Sequence, residues 1–90
     1  MWQIEEHQRL DKKLIKLPQQ VLKKYELWKS MIRYNGPAVL RSFPGFHDEA
    51  LKGIWKGFRS SRLNIQFRVI YEILEREGVV RVEDVNPHQY

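Results

Sequence analysis

The chain has 90 residues, no cysteine and a formal net charge of +5, with 42% hydrophobic residues. This length and composition predict a single folded domain over residues 1–90, and the positive charge predicts a polyanionic partner: nucleic acid, an acidic membrane surface or an acidic protein. The lack of cysteine excludes a disulfide framework and a zinc ribbon, and the absence of a signal-peptide pattern or an apolar span fits a cytoplasmic protein.

The first half of the chain predicts a short strand followed by two helices. The alternation at residues 2–4 is typical of a short edge strand. Leucines on one helical face predict a helix over about residues 5–17, which Pro18 ends. Apolar residues spaced i, i+4, i+7 and i+11 predict a second helix, which stops at Asn35-Gly36: Val21, Tyr25, Trp28 and Ile32. The short break between the helices predicts an antiparallel helical hairpin.

After a loop over residues 37–53, the second half predicts an antiparallel meander of about three strands. Apolar and polar residues alternate from Leu63 to Ile73, with Ile70 as the exception, which predicts one long strand. Residues 75–78 (EREG) predict a turn, residues 79–85 (VVRVEDV) the returning strand, and IWKGF (54–58) a strand on the other side. The economical packing is an α+β fold, with the N-terminal helical hairpin on the apolar face of this small sheet.

The stretch KGIWKGFRSSRLNIQFRVIY, residues 52–71, contains five cations and no acidic residue: Lys52, Lys56, Arg59, Arg62 and Arg68. Parity along the predicted strand places Arg62 and Arg68 on the face that the helices leave uncovered, roughly 20 Å apart. A cationic open sheet face suits an extended polyanion such as single-stranded RNA. The plainer alternative is a row of solvated cations that pair with acidic residues on neighbouring strands.

His88, in the closing VNPHQY, is a candidate for acid–base chemistry. Cleavage of an RNA phosphodiester needs a base for the 2′-OH, an acid for the leaving 5′-oxygen, and cations that stabilise the charged transition state. The ordinary pKa of histidine suits the first two roles, although a lone histidine near a terminus is usually just exposed. His47 precedes two carboxylates, but three consecutive side chains do not easily face one ion, so we expect no metal.

Three stretches together resemble the RelE/ParE superfamily of bacterial toxins from type II toxin–antitoxin pairs: KKLIKLPQQVLKKYELW, FHDEALKGIWKGFRSSRLNIQFRVIYEI and VVRVEDVNPHQY. The resemblance covers nearly the whole chain and rests on the order and spacing of its elements. It implies that the helical hairpin packs on a curved antiparallel sheet. In the RelE, HigB and YafQ branches it implies a cofactor-free endoribonuclease that cuts mRNA in the ribosomal A site. It also implies a cognate antitoxin, through which alone the toxin would reach operator DNA.

The resemblance also implies roles for individual residues. Arg62 and Arg68 match positions that contact the scissile phosphate, and His88 matches the acid–base histidine of the YafQ and HigB branches. Tyr90 is near a terminal aromatic that orients a base, and Lys56 and Arg59 match a basic approach strand. The catalytic candidates are His88, Arg62, Arg68 and Lys56. The candidates for substrate binding are Arg59, Lys52, Tyr90 and Gln66.

The partner of His88 and two alternatives to the ribonuclease function remain open at this point. YafQ-like toxins carry a His and an Asp where this chain has Arg62 and Gln66. Either His88 works with Lys56 or Tyr90, or the ribosome's RNA supplies help, or catalysis is weak. The ParE branch shares the fold, poisons DNA gyrase and lacks such a catalytic set, so His88 alone argues for the ribonuclease branch. A third reading is an inactive toxin-fold protein that acts only in antitoxin or operator binding.

Overall fold

The computed structural model describes residues 1–87, so His88 and Tyr90 lie outside the described residues. The helices and strands, in chain order, are β1 (Gln3–Glu6), α1 (Leu10–Ile15), α2 (Gln19–Asn35), β2 (Glu49–Ala50), β3 (Arg59–Arg62), β4 (Phe67–Leu74) and β5 (Val79–Pro87). Short 3₁₀ turns lie at Pro37–Ser42, Pro44–Phe46, Gly53–Trp55 and Glu75–Glu77. No helix in this described part is long and apolar enough to cross a membrane.

Helix α2 supplies the largest buried side chains of the core. The four residues of its predicted stripe are at most 1% exposed: Val21, Tyr25, Trp28 and Ile32. Helix α1 has only six residues and is shorter than predicted, because residues 3–6 pair in the sheet as β1. The predicted leucine face of α1 is nevertheless correct, since Leu10 is buried and Leu14 and Leu17 pack against the core.

The end of α2 depends on Gly36, in agreement with the predicted stop. Its φ is +82°, and its N–H donates to the carbonyl of Ile32 at 2.8 Å. A Cβ at this position would lie 3.0 Å from Nε1 of Trp2. Glycine is therefore needed here both for the positive φ and for the close approach of the indole.

The sheet has five strands in the order β1-β5-β4-β3-β2. All neighbours are antiparallel except β1 and β5, which are parallel. The returning strand was predicted correctly, and β1 is an edge strand as expected. The stretch IWKGF is not a strand, because Gly53–Trp55 forms a 3₁₀ turn and β3 begins only at Arg59. The α+β class, with helices on a largely antiparallel sheet, is confirmed.

The single long strand predicted over residues 63–73 is wrong, because the chain reverses between β3 and β4. Asn64 makes this turn: its Oδ1 accepts hydrogen bonds from the N–H groups of Gln66 and Phe67, at 2.8 and 2.6 Å. Ile65, predicted to face the core, is 80% exposed at the turn. Within β4 the predicted alternation holds, since four side chains reach the core: Phe67, Val69, Tyr71 and Ile73.

A β-bulge in the pairing of β4 with β5 keeps apolar side chains of β5 directed at the core on both sides of the bulge. Tyr71 pairs with Val82, but its neighbour Ile70 pairs with Asp84, so β5 holds one extra residue at this point. Val82 and Val85 therefore both join the core, although a regular strand would put them on opposite faces.

Candidate functional site

Arg62 and Arg68 are direct cross-strand neighbours on β3 and β4. Their Cα atoms are therefore about 4.5–5.5 Å apart, because the chain turns back between them. The separation of roughly 20 Å predicted for one extended strand is wrong. Paired residues share a face of the sheet, and the adjacent Val69 faces the core. Both arginines consequently project from the face opposite the helices, as parity predicted.

The arginine row continues onto β5, where Asn86 pairs with Arg68. The Nε of Arg68 donates to Oδ1 of Asn86 at 3.4 Å, a long hydrogen bond to a neutral group. Within residues 1–87, neither Arg62 nor Arg68 has an acidic partner. Two adjacent guanidinium groups without a counterion repel each other and create a site that attracts an anion.

Other cations near the sheet are neutralised by carboxylates. These ion pairs are Arg81 with Glu5 and Glu72, Arg9 with Glu83, and Lys13 with Asp84. Burial acts to raise the pKa of Asp84, but hydrogen bonds from Lys13 and Asn86 and the charge of Lys13 outweigh it and leave this pKa lowered. The alternative that cations pair with neighbouring acids therefore describes these residues and not the Arg62–Arg68 pair.

Arg59 lies on the helix-covered face and not on the face that carries Arg62 and Arg68. It pairs with Tyr71 across β3 and β4, and its Nε and Nη2 donate to Oδ2 of Asp48 at 3.0 and 2.8 Å. The reason is parity, because Arg59 and Arg62 are three residues apart on one strand and point to opposite faces. Burial acts to lower the pKa of Arg59, but the hydrogen bonds and charge of Asp48 leave it raised.

Asp48 is the centre of a buried polar cluster, the Asp48 cluster, formed by Trp28, Asp48, Arg59, Ser61 and Tyr71. The Asp48 side chain is 1% exposed, and its Oδ1 accepts from the Ser61 hydroxyl at 2.7 Å and from the Tyr71 hydroxyl. Ser61 accepts in turn from Nε1 of Trp28 at 3.0 Å. Burial, followed by the hydrogen bond to Asp48, raises the pKa of Tyr71. The cluster ties β3 and β4 to α2 and to the segment before β2.

The remaining site candidates are in loops and turns or outside the described residues. Lys52 and Lys56 are exposed on either side of the 3₁₀ turn before β3, so of the predicted basic approach strand Lys56 is in a loop and Arg59 is the first residue of β3. Gln66 is exposed in the turn between β3 and β4, beside the arginine pair in sequence. His88 and Tyr90 lie outside the described residues, and their proposed roles remain predictions. Sequence reasoning missed Asp48, which stands in a loop between His47 and Glu49 with nothing to signal burial.

Comparison with solved structures identifies the fold. A chain of the archaeal RelE–RelB complex from Pyrococcus horikoshii OT3 has a TM-score of 0.76 and 22% identity, over 96% of this chain and 93% of that chain. YafQ from E. coli has a TM-score of 0.74 and 21% identity, over 98% of this chain and 94% of that chain. A chain of the YoeB–YefM complex from Staphylococcus aureus has a TM-score of 0.72 and 17% identity, over 99% of both chains.

No protein-family model and no curated protein matches the sequence. The three structures nevertheless cover nearly the whole chain. The protein has the fold of the RelE-superfamily toxins, and the resemblance predicted from its sequence is confirmed at the level of the fold.

Proposed function

We propose that this protein is the toxin of a type II toxin–antitoxin module, and that it is a cytoplasmic, ribosome-dependent endoribonuclease that cleaves translated mRNA. The observation that carries the proposal is the Arg62–Arg68 pair, two cross-strand arginines with no acidic partner within residues 1–87, on the sheet face opposite the helices of a RelE-like fold. Solved structures with this fold include toxin–antitoxin complexes from Mycobacterium tuberculosis and Staphylococcus aureus, which supports the toxin role.

The proposed reaction is attack of the ribose 2′-OH on the adjacent phosphate, with departure of the 5′-oxygen. The planar guanidinium groups of Arg62 and Arg68 donate to the phosphate oxygens and stabilise the charge that develops on them. His88 serves as general acid or general base. No step needs a metal ion, because the two arginines supply the positive charge. Three residues position the nucleotides around this centre: Lys52, Gln66 and Tyr90.

Lys56 and Arg59 have different parts in this proposal. Lys56 is exposed before β3 and is free to meet a phosphate or to assist His88. The guanidinium of Arg59 is held by Asp48 on the other face, so Arg59 supports the position of β3 instead of touching RNA. This assignment replaces the substrate-binding role that the sequence predicted for Arg59.

The proposed partners are the ribosome with its mRNA, and a cognate antitoxin. An acidic antitoxin segment that covers the Arg62–Arg68 face would supply the missing carboxylates and exclude RNA. Contact with operator DNA is proposed to occur only through the antitoxin complex.

The test is induction of the wild type, His88→Ala, Arg62→Ala and Arg76→Ala in cells, with growth and the cleavage of translated mRNA as readouts. Arg76 is an exposed arginine in the Glu75–Glu77 turn and serves as the matched control. We expect arrest and cleavage from the wild type and from Arg76→Ala. Loss of a group that stabilises transition-state charge should reduce cleavage about 10²-fold or more in Arg62→Ala.

Equal arrest by the wild type and His88→Ala, with intact mRNA, would contradict the mechanism. Double-strand DNA breaks in place of mRNA cuts would identify a gyrase poison. Antitoxin binding without any arrest would identify a protein that acts only in complex formation.

A further inference from the structure

An acidic residue lies near the Arg62–Arg68 pair but makes its ion pair with a different cation. This residue is Asp84, which shares the face of the sheet with Asn86 and Arg68, because Val85 between Asp84 and Asn86 points into the core. Arg68 pairs directly with Asn86, so Asp84 is the diagonal neighbour of Arg68 on β5. Long side chains reach each other across such a diagonal. Asp84 is therefore within reach of Arg68 and able to neutralise it.

Lys13 holds the carboxylate of Asp84 instead. The Nζ of Lys13 donates to Oδ1 of Asp84 at 2.7 Å. This lysine comes from α1 and meets β5 beyond Val82, where the pairing of β1 with β5 has ended. The side chain of Asp84 is only 16% exposed, so salt screens this ion pair less than it screens a fully exposed pair.

Asn86 stands between Asp84 and Arg68. Its Nδ2 donates to Oδ2 of Asp84 at 2.8 Å, and its Oδ1 accepts the long hydrogen bond from Nε of Arg68. A carboxylate only accepts hydrogen bonds, so Asp84 orients this amide with its oxygen toward Arg68. Both oxygens of Asp84 are thus engaged, by Lys13 and by Asn86. The two terminal nitrogens of Arg68 make no hydrogen bond within residues 1–87, and they remain available for parallel hydrogen bonds to a phosphate.

We propose that Lys13 is a positioning residue for the Arg62–Arg68 pair: it holds Asp84 away from Arg68 and so keeps this guanidinium free to bind a phosphodiester. The inference rests on the proposed function, because it takes RNA as the ligand of the pair. Lys13 itself acts only through Asp84. Without Lys13 the carboxylate turns to Arg68, and a phosphate has to compete with it.

The test measures binding of a single-stranded RNA oligonucleotide whose 2′-O-methyl groups prevent cleavage. NMR titration of the isotope-labelled chain gives the affinity and follows the Nε–Hε signal of Arg68. Lys13→Met should weaken binding about fivefold, because the phosphate then competes with an ion pair at the surface. The Arg68 signal of this variant should also shift without RNA, since a carboxylate has become its partner.

Lys12→Met is the matched control. Lys12 is the exposed neighbour of Lys13 on α1, and the substitution removes the same charge without releasing Asp84. We expect its affinity to fall less than about twofold at physiological salt, where distant charges are screened. Lys13→Arg keeps a cation beside Asp84 and should retain the position of the Arg68 signal. Equal losses of affinity in Lys12→Met and Lys13→Met would overturn the proposal.

The decisive comparison removes the charge of Asp84 in two backgrounds. Asp84→Asn should raise the affinity about fivefold in Lys13→Met, where the carboxylate would otherwise hold Arg68. In the wild type the same substitution should raise it less than about twofold, since Lys13 already holds the carboxylate. Such a difference between backgrounds is a coupling between the two residues. Equal effects in both would show that only the net charge matters and would overturn the proposal.

Urea unfolding of the same variants separates positioning from a purely structural role. If Lys13 only stabilises the fold, the double variant Lys13→Met/Asp84→Asn should bind no better than Lys13→Met, and this result would overturn the inference. A wild type that leaves mRNA intact in cells would contradict the proposed function alone, because these readouts need no cleavage. An oligonucleotide that does not move the Arg68 signal of the wild type would overturn the inference alone, even if mRNA is cut.

Discussion

Arg62 and Arg68 face each other across two adjacent strands, and no carboxylate within residues 1–87 pairs with either of them. Like charges that are directly opposed destabilise a sheet, so this arrangement has a local energetic cost. The Asn64 turn imposes it, because the turn fixes the register of β3 on β4. The cost falls at the place where we propose that the scissile phosphate binds.

Replacing one arginine of the pair should therefore stabilise the protein while it impairs cleavage. We expect Arg62→Gln to raise the free energy of unfolding by about 0.2–1 kcal/mol at low ionic strength, because it removes the repulsion. The gain should shrink at high salt, which screens exposed charges. Urea unfolding at both salt concentrations measures it, with Arg76→Gln as the control. A less stable Arg62→Gln at low salt would show that the pair does not repel.

The Asp48 cluster should contribute strongly to stability. We expect Asp48→Ala to lower the free energy of unfolding by about 3 kcal/mol, because it leaves the buried donors of Arg59, Ser61 and Tyr71 without their acceptor. Chemical denaturation measures this change. The matched control is Glu49→Ala, at an exposed neighbour that contacts His47 at 3.5 Å, where we expect a change below about 0.5 kcal/mol. Equal losses in both variants would contradict a special role for Asp48.

Two buried tyrosines should make the protein less stable at alkaline pH. Burial, and then hydrogen bonds to Glu6 and Asp48 respectively, raise the pKa values of Tyr25 and Tyr71 above the ordinary 10.0. Above about pH 10 the unfolded chain loses these protons while the folded chain keeps them. The unfolded state then binds fewer protons, so the free energy of unfolding falls as pH rises.

Tyr25→Phe should flatten that fall, because it removes one of the two groups responsible. Urea midpoints measured between about pH 9 and pH 11 test this expectation. An equally steep decline in the wild type and in Tyr25→Phe would show that Tyr25 ionises alike in both states.

Gly36 should tolerate no side chain. We expect Gly36→Ala to lower the free energy of unfolding by about 1–3 kcal/mol, because of its positive φ and the contact with Trp2. Gly45→Ala is the matched control, since a Cβ there meets nothing within 4 Å and the φ is not positive. Thermal unfolding compares the two, and a stable Gly36→Ala would mean that the junction after α2 adapts.

The elements that the sequence predicted well are those whose burial follows a local period. In α2, the buried residues from Val21 to Ile32 recur at helical spacing. In the returning strand β5, the first fully buried positions alternate as expected for a strand. The prediction that Arg62 and Arg68 share the face opposite the helices was also correct. The turn between β3 and β4 pairs these two residues directly, and directly paired residues lie on the same face.

The parts that could not be predicted depend on contacts between distant residues. The alternation of apolar and polar residues continues through the turn between β3 and β4. Only Asn64, a residue type that favours turns, could have indicated that turn. Asp48 is buried because Arg59, Ser61 and Tyr71 converge on it from two strands, and its own neighbours in sequence give no sign of this. The same holds for Arg59, whose guanidinium is held by Asp48, a residue eleven positions earlier in the chain.

The parallel pairing of β1 with β5 has a consequence for the order of folding. Glu5 and Arg81, which meet in this pair, are 76 residues apart in the chain. Closing so long a loop is slow, whereas β4 and β5 are joined by a short turn and pair early. During synthesis β1 therefore cannot pair until β5 has been made. We therefore expect β1 to dock on β5 only after β4 and β5 have paired.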